Sequence, residues 1–209
     1  MKKHRLFTAF ASLAMLFLGG LPTFAQGNTT AVPFTETFDD DSHFTQGGNL
    51  PDGWASSATD GDKGFARAER YDNYPYVEPY SGEYYISSTA TYNNRADAIF
   101  TPMLSLKGGN EYTISFYICY FDDYGYGRKP FYQLTAGNGQ TVADQTINIT
   151  EKVEVGNTEW QKVEAKFTPT EDGEYSIALQ VTSNISWTGV ISVDDFSVDG
   201  IGGGLNRPL

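Results

Sequence analysis

Short runs rich in Tyr, Phe, Val, Ile and Thr recur along this chain, separated by clusters of Gly, Asn, Asp and Pro. The first set of residues favours β-strands and the second favours turns, while signals for helices are nearly absent. The pattern predicts nine strands, near residues 34–38, 84–88, 96–101, 111–121, 131–136, 140–149, 158–167, 173–182 and 188–198. Strands at this spacing favour an all-β fold, a two-sheet antiparallel β-sandwich of jelly-roll type. Residues 47–79 are predicted to form a long loop along one edge of it.

The first 25 residues have the three parts of a secretory signal peptide. A basic start (Lys2, Lys3, Arg5) precedes an apolar stretch over residues 6–18 and a small-residue cleavage site that ends at Ala25. The apolar stretch is too short to span a membrane, so we expect a secreted or surface-displayed protein without a membrane span. The predicted organisation is a signal peptide at 1–25, an N-terminal linker at 26–32, a β-sandwich domain at 33–200, and a Gly-rich tail or truncated linker at 201–209.

The charged and nucleophilic residues exclude several classes of function. The chain has 26 acidic and 14 basic residues and a net charge of −12, which argues against nucleic acid or an anionic membrane as a partner. Cys119 is the only cysteine and lies in an apolar run, which predicts a buried structural thiol. Cleavage after Ala25 leaves His43 as the only histidine, which argues against a multi-histidine zinc site and a Ser–His or Cys–His hydrolase. No catalytic residues are predicted.

The stretch "GVISVDDFSVDG" predicts a closing strand with two carboxylates in its middle. Side chains alternate between the two faces of a strand, so Asp194 and Asp195 take opposite faces, and both faces carry apolar residues. The first strand poses the same problem, because Glu36 alternates with Phe34 and Phe38. A carboxylate on a buried face needs a cation or hydrogen-bond donors.

Aromatic and polar residues share two predicted loops that are candidates for ligand binding. Tyr124, Tyr126 and Arg128 lie in "DDYGYGRKP", and Trp187 lies just before the last strand. Sugars have apolar C–H faces that stack on aromatic rings and hydroxyl groups that need polar partners. The alternative is that these aromatic side chains cover the edge of the core with their polar ends in water.

The order of several motifs carries a family resemblance. "PFTETFDD", "LPDGW", "AIFTPMLSLKGGNEYTISFYI", "TEWQKVEAKFTPTEDGEYSIALQV" and "VISVDDFSVDG" follow one another between residues 33 and 200. In this order they resemble the cleaved-adhesin and choice-of-anchor J group of bacterial surface modules, related to MAM-like jelly rolls. The resemblance implies an extracellular β-sandwich, often one module of a larger surface protein and frequently with bound calcium. It does not imply catalysis.

In the jelly rolls that this chain resembles, the first and last strands lie side by side, which would bring Glu36 and Asp194 together. Two carboxylates at one apolar site need a counter-charge, and related domains supply calcium there. The resemblance therefore implies a structural calcium ion held by Glu36 and Asp194. The acidic loops "DDD" and "TDGD" offer Asp39, Asp60 and Asp62 as candidates for further ligands. Two alternatives remain open, namely solvent exposure of both carboxylates or an ion pair with an arginine, for which the candidates are Arg67, Arg70 and Arg95.

Three functions are compatible with these features. The first is a non-catalytic adhesion module that binds a glycan or a host protein through Tyr124, Tyr126, Arg128 and Trp187. The second is a spacer or assembly module within a larger surface protein. The third is a small glycoside hydrolase, which would need a cleft with two opposed carboxylates.

Overall fold

The computed structural model describes residues 29–44, 49–58, 64–69, 77–88, 96–121, 127–156, 158–182 and 190–201. Within these ranges the fold is all-β, with 3₁₀ turns at Asp41–His43 and Val142–Asp144. No helix in the described ranges is long and apolar enough to span a membrane. The strands are β1 (Phe34–Glu36), β2 (Ala55–Ala58), β3 (Phe65–Glu69), β4 (Tyr84–Ser88), β5 (Ala96–Phe100), β6 (Leu104–Leu106), β7 (Glu111–Phe121), β8 (Phe131–Gly137), β9 (Ile147–Asn148), β10 (Val153–Glu154), β11 (Gln161–Phe167), β12 (Gly173–Thr182) and β13 (Val190–Ile201).

The strands form two antiparallel sheets that pack face to face. The six-stranded sheet has the order β11-β7-β13-β4-β3, and β1 also pairs with β13. The seven-stranded sheet has the order β10-β8-β12-β5-β2, with β6 beside β12 and β9 beside β8. The prediction of a two-sheet jelly-roll sandwich is therefore confirmed, as is the pairing of the first strand with the last.

The long strands follow the alternation in the sequence. In β7 the even-numbered residues from Tyr112 to Tyr120 belong to the core between the sheets, and in β12 Ile177, Leu179 and Val181 do so. Both strands have the predicted bounds. Each has one continuous apolar face, and this face determines which side of the strand is buried.

Two predicted segments differ from the structure. Residues 140–149 hold a 3₁₀ turn and only the two-residue strand β9, because Asp144 Oδ2 accepts hydrogen bonds from the backbone N–H and the hydroxyl of Thr141 at 3.1 and 2.6 Å. These bonds satisfy the backbone locally and compete with strand pairing. The predicted loop at 47–79 contains β2 and β3, whose short sequences give too weak an alternation to predict.

A β-bulge interrupts β13 at its two aspartates. The pairing of β13 with β7 shifts between Asp194 and Ser197, and Asp195 has a left-handed φ of 48°. Ile191 and Val193 face the core before the bulge, and Phe196 and Val198 face it afterwards. The extra residue thus exchanges the two faces. Asp194 consequently lies on the outer face of the six-stranded sheet.

Four aromatic rings close one side of the core. Trp54, from the turn before β2, has its ring centroid 6.0 Å from Phe34, 5.5 Å from Phe38 and 5.4 Å from Phe196. Phe38 has a left-handed φ of 66°, and β1 ends two residues before it. The aromatic cluster ties the first and last strands to the segment between them.

Candidate functional site

Asp194 is fully buried and bound by backbone donors. Its Oδ2 accepts hydrogen bonds from the N–H groups of Tyr80 at 3.0 Å and Ser81 at 3.1 Å, and its Oδ1 accepts one from Asp195 N–H at 2.8 Å. Tyr80 and Ser81 belong to the crossing segment (residues 77–83), which lies on the outer face of the six-stranded sheet. The partner of this carboxylate is therefore the backbone of a segment more than a hundred residues away in sequence.

Burial dominates the titration of Asp194. It raises the pKa of this carboxyl to about 7, against the opposing effect of hydrogen bonds from Ser81, Asp195 and Tyr80, and the charge of Asp195 also raises the pKa. Cys119, on the same outer face, is buried as predicted. Its burial and the charge of Asp194 raise the pKa of the thiol to about 12, so the thiol is protonated at neutral pH.

The pKa of Asp194 predicts a pH dependence of stability. A carboxyl with a raised pKa in the folded state gives a contribution to stability that is fully present below its unfolded pKa, near 3.8, and is lost as the pH rises through about 7. The free energy of unfolding should therefore fall by up to about 1.4 kcal/mol per pH unit across this window. Urea denaturation of the wild type and of Asp194→Asn from pH 5 to pH 8 checks this. The free energy of unfolding of the variant should lack the fall with pH that comes from the titration of Asp194. Parallel pH profiles would contradict the assignment.

Glu36 and Asp39 also bind hydrogen-bond donors. Glu36 lies opposite Phe196 on the core face, where its Oε1 accepts from Phe38 N–H at 2.8 Å and its Oε2 is 3.0 Å from His43 Nδ1. Asp39 Oδ1 accepts from the N–H groups of Glu83 at 2.8 Å and Tyr84 at 3.0 Å. Both carboxylates therefore fix the backbone around them.

Arg67 is the cation that binds the acidic segment after β1. It donates from Nε to the carbonyl of Phe38 at 2.9 Å, from Nη2 to the carbonyl of Asp39 at 3.0 Å, and from Nη1 to the carboxylate of Asp41 at 2.6 Å. Its guanidinium also lies 4.2 Å from the ring centroid of Phe44 and 3.6 Å from that of Tyr84. An arginine partner was one of the alternatives from the sequence, and Arg67 takes that role for Asp41 rather than for Glu36 or Asp194.

Glu36 and Asp194 do not come together as expected, because the bulge places them on opposite faces of one sheet. Of the six carboxylate oxygens of Glu36, Asp39 and Asp194, four already accept hydrogen bonds from backbone N–H groups and a fifth lies 3.0 Å from a ring nitrogen of His43. The described part of the chain holds no group of three His, Cys, Asp or Glu side chains arranged for a metal. This arrangement does not fit a calcium ion shared by these residues, and Asp60 lies outside the described ranges.

Calcium stays a prediction of the resemblance. Thermal unfolding in chelator and then in rising calcium decides it, since a bound ion raises the melting temperature with its concentration.

The predicted ligand loops leave from one end of the sandwich. Phe121, at the end of β7, pairs with Val190, at the start of β13, and Thr182, at the end of β12, pairs with Phe131, at the start of β8. The connections at 122–130 and 183–189 therefore begin and end side by side at what we term the loop end. Tyr124, Tyr126 and Trp187 lie outside the described residues, and Arg128 is half-buried.

Four residues that the sequence analysis did not single out form an outward-facing surface beside these loops. We term them the loop-end floor; they are Phe131, Gln133, Gln180 and Thr182, all half-buried on the outer face of the seven-stranded sheet. Gln133 Nε2 donates to the carbonyl of Thr150 at 3.0 Å, and Gln180 Nε2 donates to Thr135 Oγ1 at 2.9 Å. Within the described ranges their amide oxygens accept no hydrogen bond. The signal in the sequence was one amide side chain in each of two predicted strands.

A cavity of about 650 Å³ lies at the opposite end of the sandwich. It is lined by Gly137, Asn138, Glu171, Glu174 and Tyr175 among others. None of the predicted ligand-binding residues contributes to it. Size alone does not make it the binding site, and its carboxylates distinguish it from the amide-rich floor.

Comparisons with known proteins agree with this fold. A family model described as "Carbohydrate binding domain" matches residues 32–186. The K1 and K3 cleaved adhesin domains of Lys-gingipain from Porphyromonas gingivalis are similar in structure, with 15% and 19% sequence identity and TM-scores of 0.58 and 0.56. Each alignment covers 79% of this chain and 96% of the adhesin domain. TmCBM61, solved in complex with beta-1,4-galactotriose, aligns with 17% identity over 77% of this chain and 96% of its own, with a TM-score of 0.50. No curated protein matches the sequence. The resemblance to cleaved adhesins is confirmed for the fold.

Proposed function

The chain belongs to the carbohydrate binding domain family, and from this premise we propose that it is a non-catalytic module that binds a glycan at its loop end. Family membership supports a binding role over a catalytic one. The predicted signal peptide supports export to the cell surface or the medium, where such a module could stand alone or within a larger surface protein.

We place the binding site at the loop end because the loop-end floor lies beside the strand ends from which the two predicted ligand loops leave. Phe131 offers an aromatic ring, Gln133 and Gln180 offer amide oxygens, and Thr182 offers a hydroxyl, all on neighbouring strands. Sugar hydroxyls donate to amide oxygens, and a sugar C–H face packs on an aromatic ring. Because both strands also pack against the core, these side chains stand on a rigid base, which reduces the entropy lost on binding.

The loop residues from the sequence analysis complete this proposal. Tyr124, Tyr126 and Trp187 would supply further stacking rings, and Arg128 would supply hydrogen-bond donors, around the floor. A glycan is favoured over a host protein as the ligand because amides and isolated rings suit hydroxyl-rich ligands.

Replacement of the two glutamines tests the site. We expect Gln133→Ala and Gln180→Ala each to weaken glycan binding about three- to tenfold, since each removes a hydrogen-bonding amide that contributes little to the core. Affinity electrophoresis in gels that contain xylan, galactan or mannan, followed by calorimetry with oligosaccharides of the retained polymer, measures the effect.

Asn138→Ala, an exposed amide at the opposite end, is the matched control and should bind as the wild type does. Retention of full affinity in the Gln133→Ala, Gln180→Ala double variant would reject the loop-end site. The absence of retardation by any polysaccharide would favour the spacer role.

A further inference from the structure

The crossing segment is fixed to the outer face of the six-stranded sheet, which is the opposite sheet from the loop-end floor. Asp194 binds the backbone N–H groups of Tyr80 and Ser81, and the hydroxyl of Ser81 donates to Asp195 at 2.9 Å. Nearer its start, the carbonyl of Glu78 accepts a hydrogen bond from the indole N–H of Trp160 at 2.8 Å. The backbone that carries Tyr80 is therefore rigid on both sides of that residue.

The ring of Tyr80 is held against a second aromatic ring at the surface. It stacks on the ring of Tyr117 with centroids 3.4 Å apart and an interplanar angle of 14°. One face of the Tyr80 ring thus contacts Tyr117, which stands on β7, and residue Tyr80 as a whole is 44% exposed. In the described ranges no other Phe, Tyr or Trp residue is exposed to this extent. A ring whose only task was to cover the sheet could lie deeper, as Tyr85 does on the same face.

Two charged side chains, those of Asp195 and Lys162, lie near this pair of rings. A side-chain hydrogen bond with Tyr117 is the main cause that raises the pKa of Tyr80, the charge of Asp195 raises it further, and the charge of Lys162 lowers it. Asp195 is a carboxylate acceptor and Lys162, about half exposed, is an ammonium donor. Asp195 accepts a hydrogen bond from the hydroxyl of Ser81, the residue after Tyr80, at 2.9 Å, and Lys162 is the cross-strand neighbour of Tyr117 on β11. An acceptor and a donor therefore lie beside the pair of stacked rings.

An exposed aromatic ring that is held in place and has polar groups beside it is suited to bind a sugar ring. The C–H face of a pyranose can pack on the aromatic face, and its peripheral hydroxyl groups can reach the rim. Since the backbone and the lower ring hold Tyr80 in place, binding would lose little conformational entropy.

We propose that Tyr80, stacked on Tyr117, forms a second carbohydrate-binding site, on the opposite sheet from the loop-end floor. That the ligand is a carbohydrate rests on the proposed function, whereas the location of the site at Tyr80 and Tyr117 does not. Asp195 and Lys162 would bind hydroxyl groups of the same sugar residue. The two sites face in opposite directions, so one molecule could bind two glycan chains.

Titrations followed by amide NMR shifts test both sites separately in one sample. Xylohexaose, cellohexaose and β-1,4-galactotriose are added in turn to the ¹⁵N-labelled protein. We expect one of these probes to shift the amides of Tyr80, Ser81 and Tyr117 with a binding curve distinct from that of Gln133 and Gln180. Tyr80→Ala should weaken the first response about tenfold or more and leave the second unchanged.

Tyr80→Phe is the matched control, because it keeps the stacking ring and removes only the hydroxyl, and it should retain most of the binding. The backbone N–H bonds to Asp194 do not depend on the side chain of Tyr80, and the amide spectrum of each variant verifies its fold. Shifts at Gln133 and Gln180 without shifts at Tyr80 would overturn the second site alone. No shift at either place with any of the three sugars would overturn the second site together with the proposed function.

Discussion

Replacing Asp194 with alanine should lower the free energy of unfolding by about 3 kcal/mol or more, because three backbone N–H groups lose their acceptor in a buried place. Two of these groups belong to the crossing segment and one to the bulge itself. The effect should be larger at pH 6 than at pH 8, because below the pKa of about 7 the folded wild type gains stability from its bound proton. Urea denaturation monitored by tryptophan fluorescence measures it.

Asp199→Ala is the matched control for this experiment. Asp199 lies on the same strand but is exposed, so its loss should change the free energy of unfolding by less than about 0.5 kcal/mol. If the two variants were equally stable, the hydrogen bonds of Asp194 would not hold the crossing segment in solution.

Replacing Trp54 with alanine should cost about 3–5 kcal/mol, the range for truncation of a large aromatic side chain in a core. The indole is 9% exposed and contacts three phenylalanine rings, from β1, from the segment after it and from β13. Its loss would leave a cavity where the first and last strands meet. Thermal and urea unfolding of the variant measure the change.

Trp160→Ala is the matched comparison for Trp54→Ala, because it removes the same type of side chain at a less buried position. Trp160 is half-buried, has one ring contact with Tyr85 at 5.9 Å and donates one hydrogen bond to Glu78. We expect a cost of about 1–2 kcal/mol, typical of a partly exposed position. A larger loss for Trp160 than for Trp54 would show that the crossing segment, not the aromatic cluster, dominates stability.

The sequence predicted the long strands well and the local exceptions poorly. A strand such as β7 has one continuous apolar face, so alternation alone gives its bounds and its buried side. The bulge at Asp194 and Asp195 adds one residue, and strict alternation on either side of it gives no sign of the change. That single residue is why Glu36 and Asp194 were expected to share a site and instead lie on opposite faces.

The candidate site was predicted in part, for a related reason. Loop aromatics are conspicuous in a sequence, so Tyr124, Tyr126 and Trp187 were proposed as ligand contacts and remain proposals. Gln133 and Gln180 were missed because a single amide in a strand indicates a site only once the two strands are known to be neighbours. Gln133 and Gln180 are partners in the sheet although forty-seven positions separate them in the sequence. Such a long-range pairing depends on the topology of the whole sheet and not on the local sequence pattern.

The antiparallel pairing of β1 with β13 has a mechanical consequence. Phe34 pairs with Val198, Thr35 with Ser197 and Glu36 with Phe196, so the chain enters β1 and leaves β13 at the same end of the sheet. Tension applied at residues 33 and 201 would load these three pairs one after another rather than all together. Single-molecule pulling between those points should show a small early extension, and a single cooperative rupture would refute this order of events. Under tension between these two points, β1 would detach first and lengthen the connection before the two sheets separate.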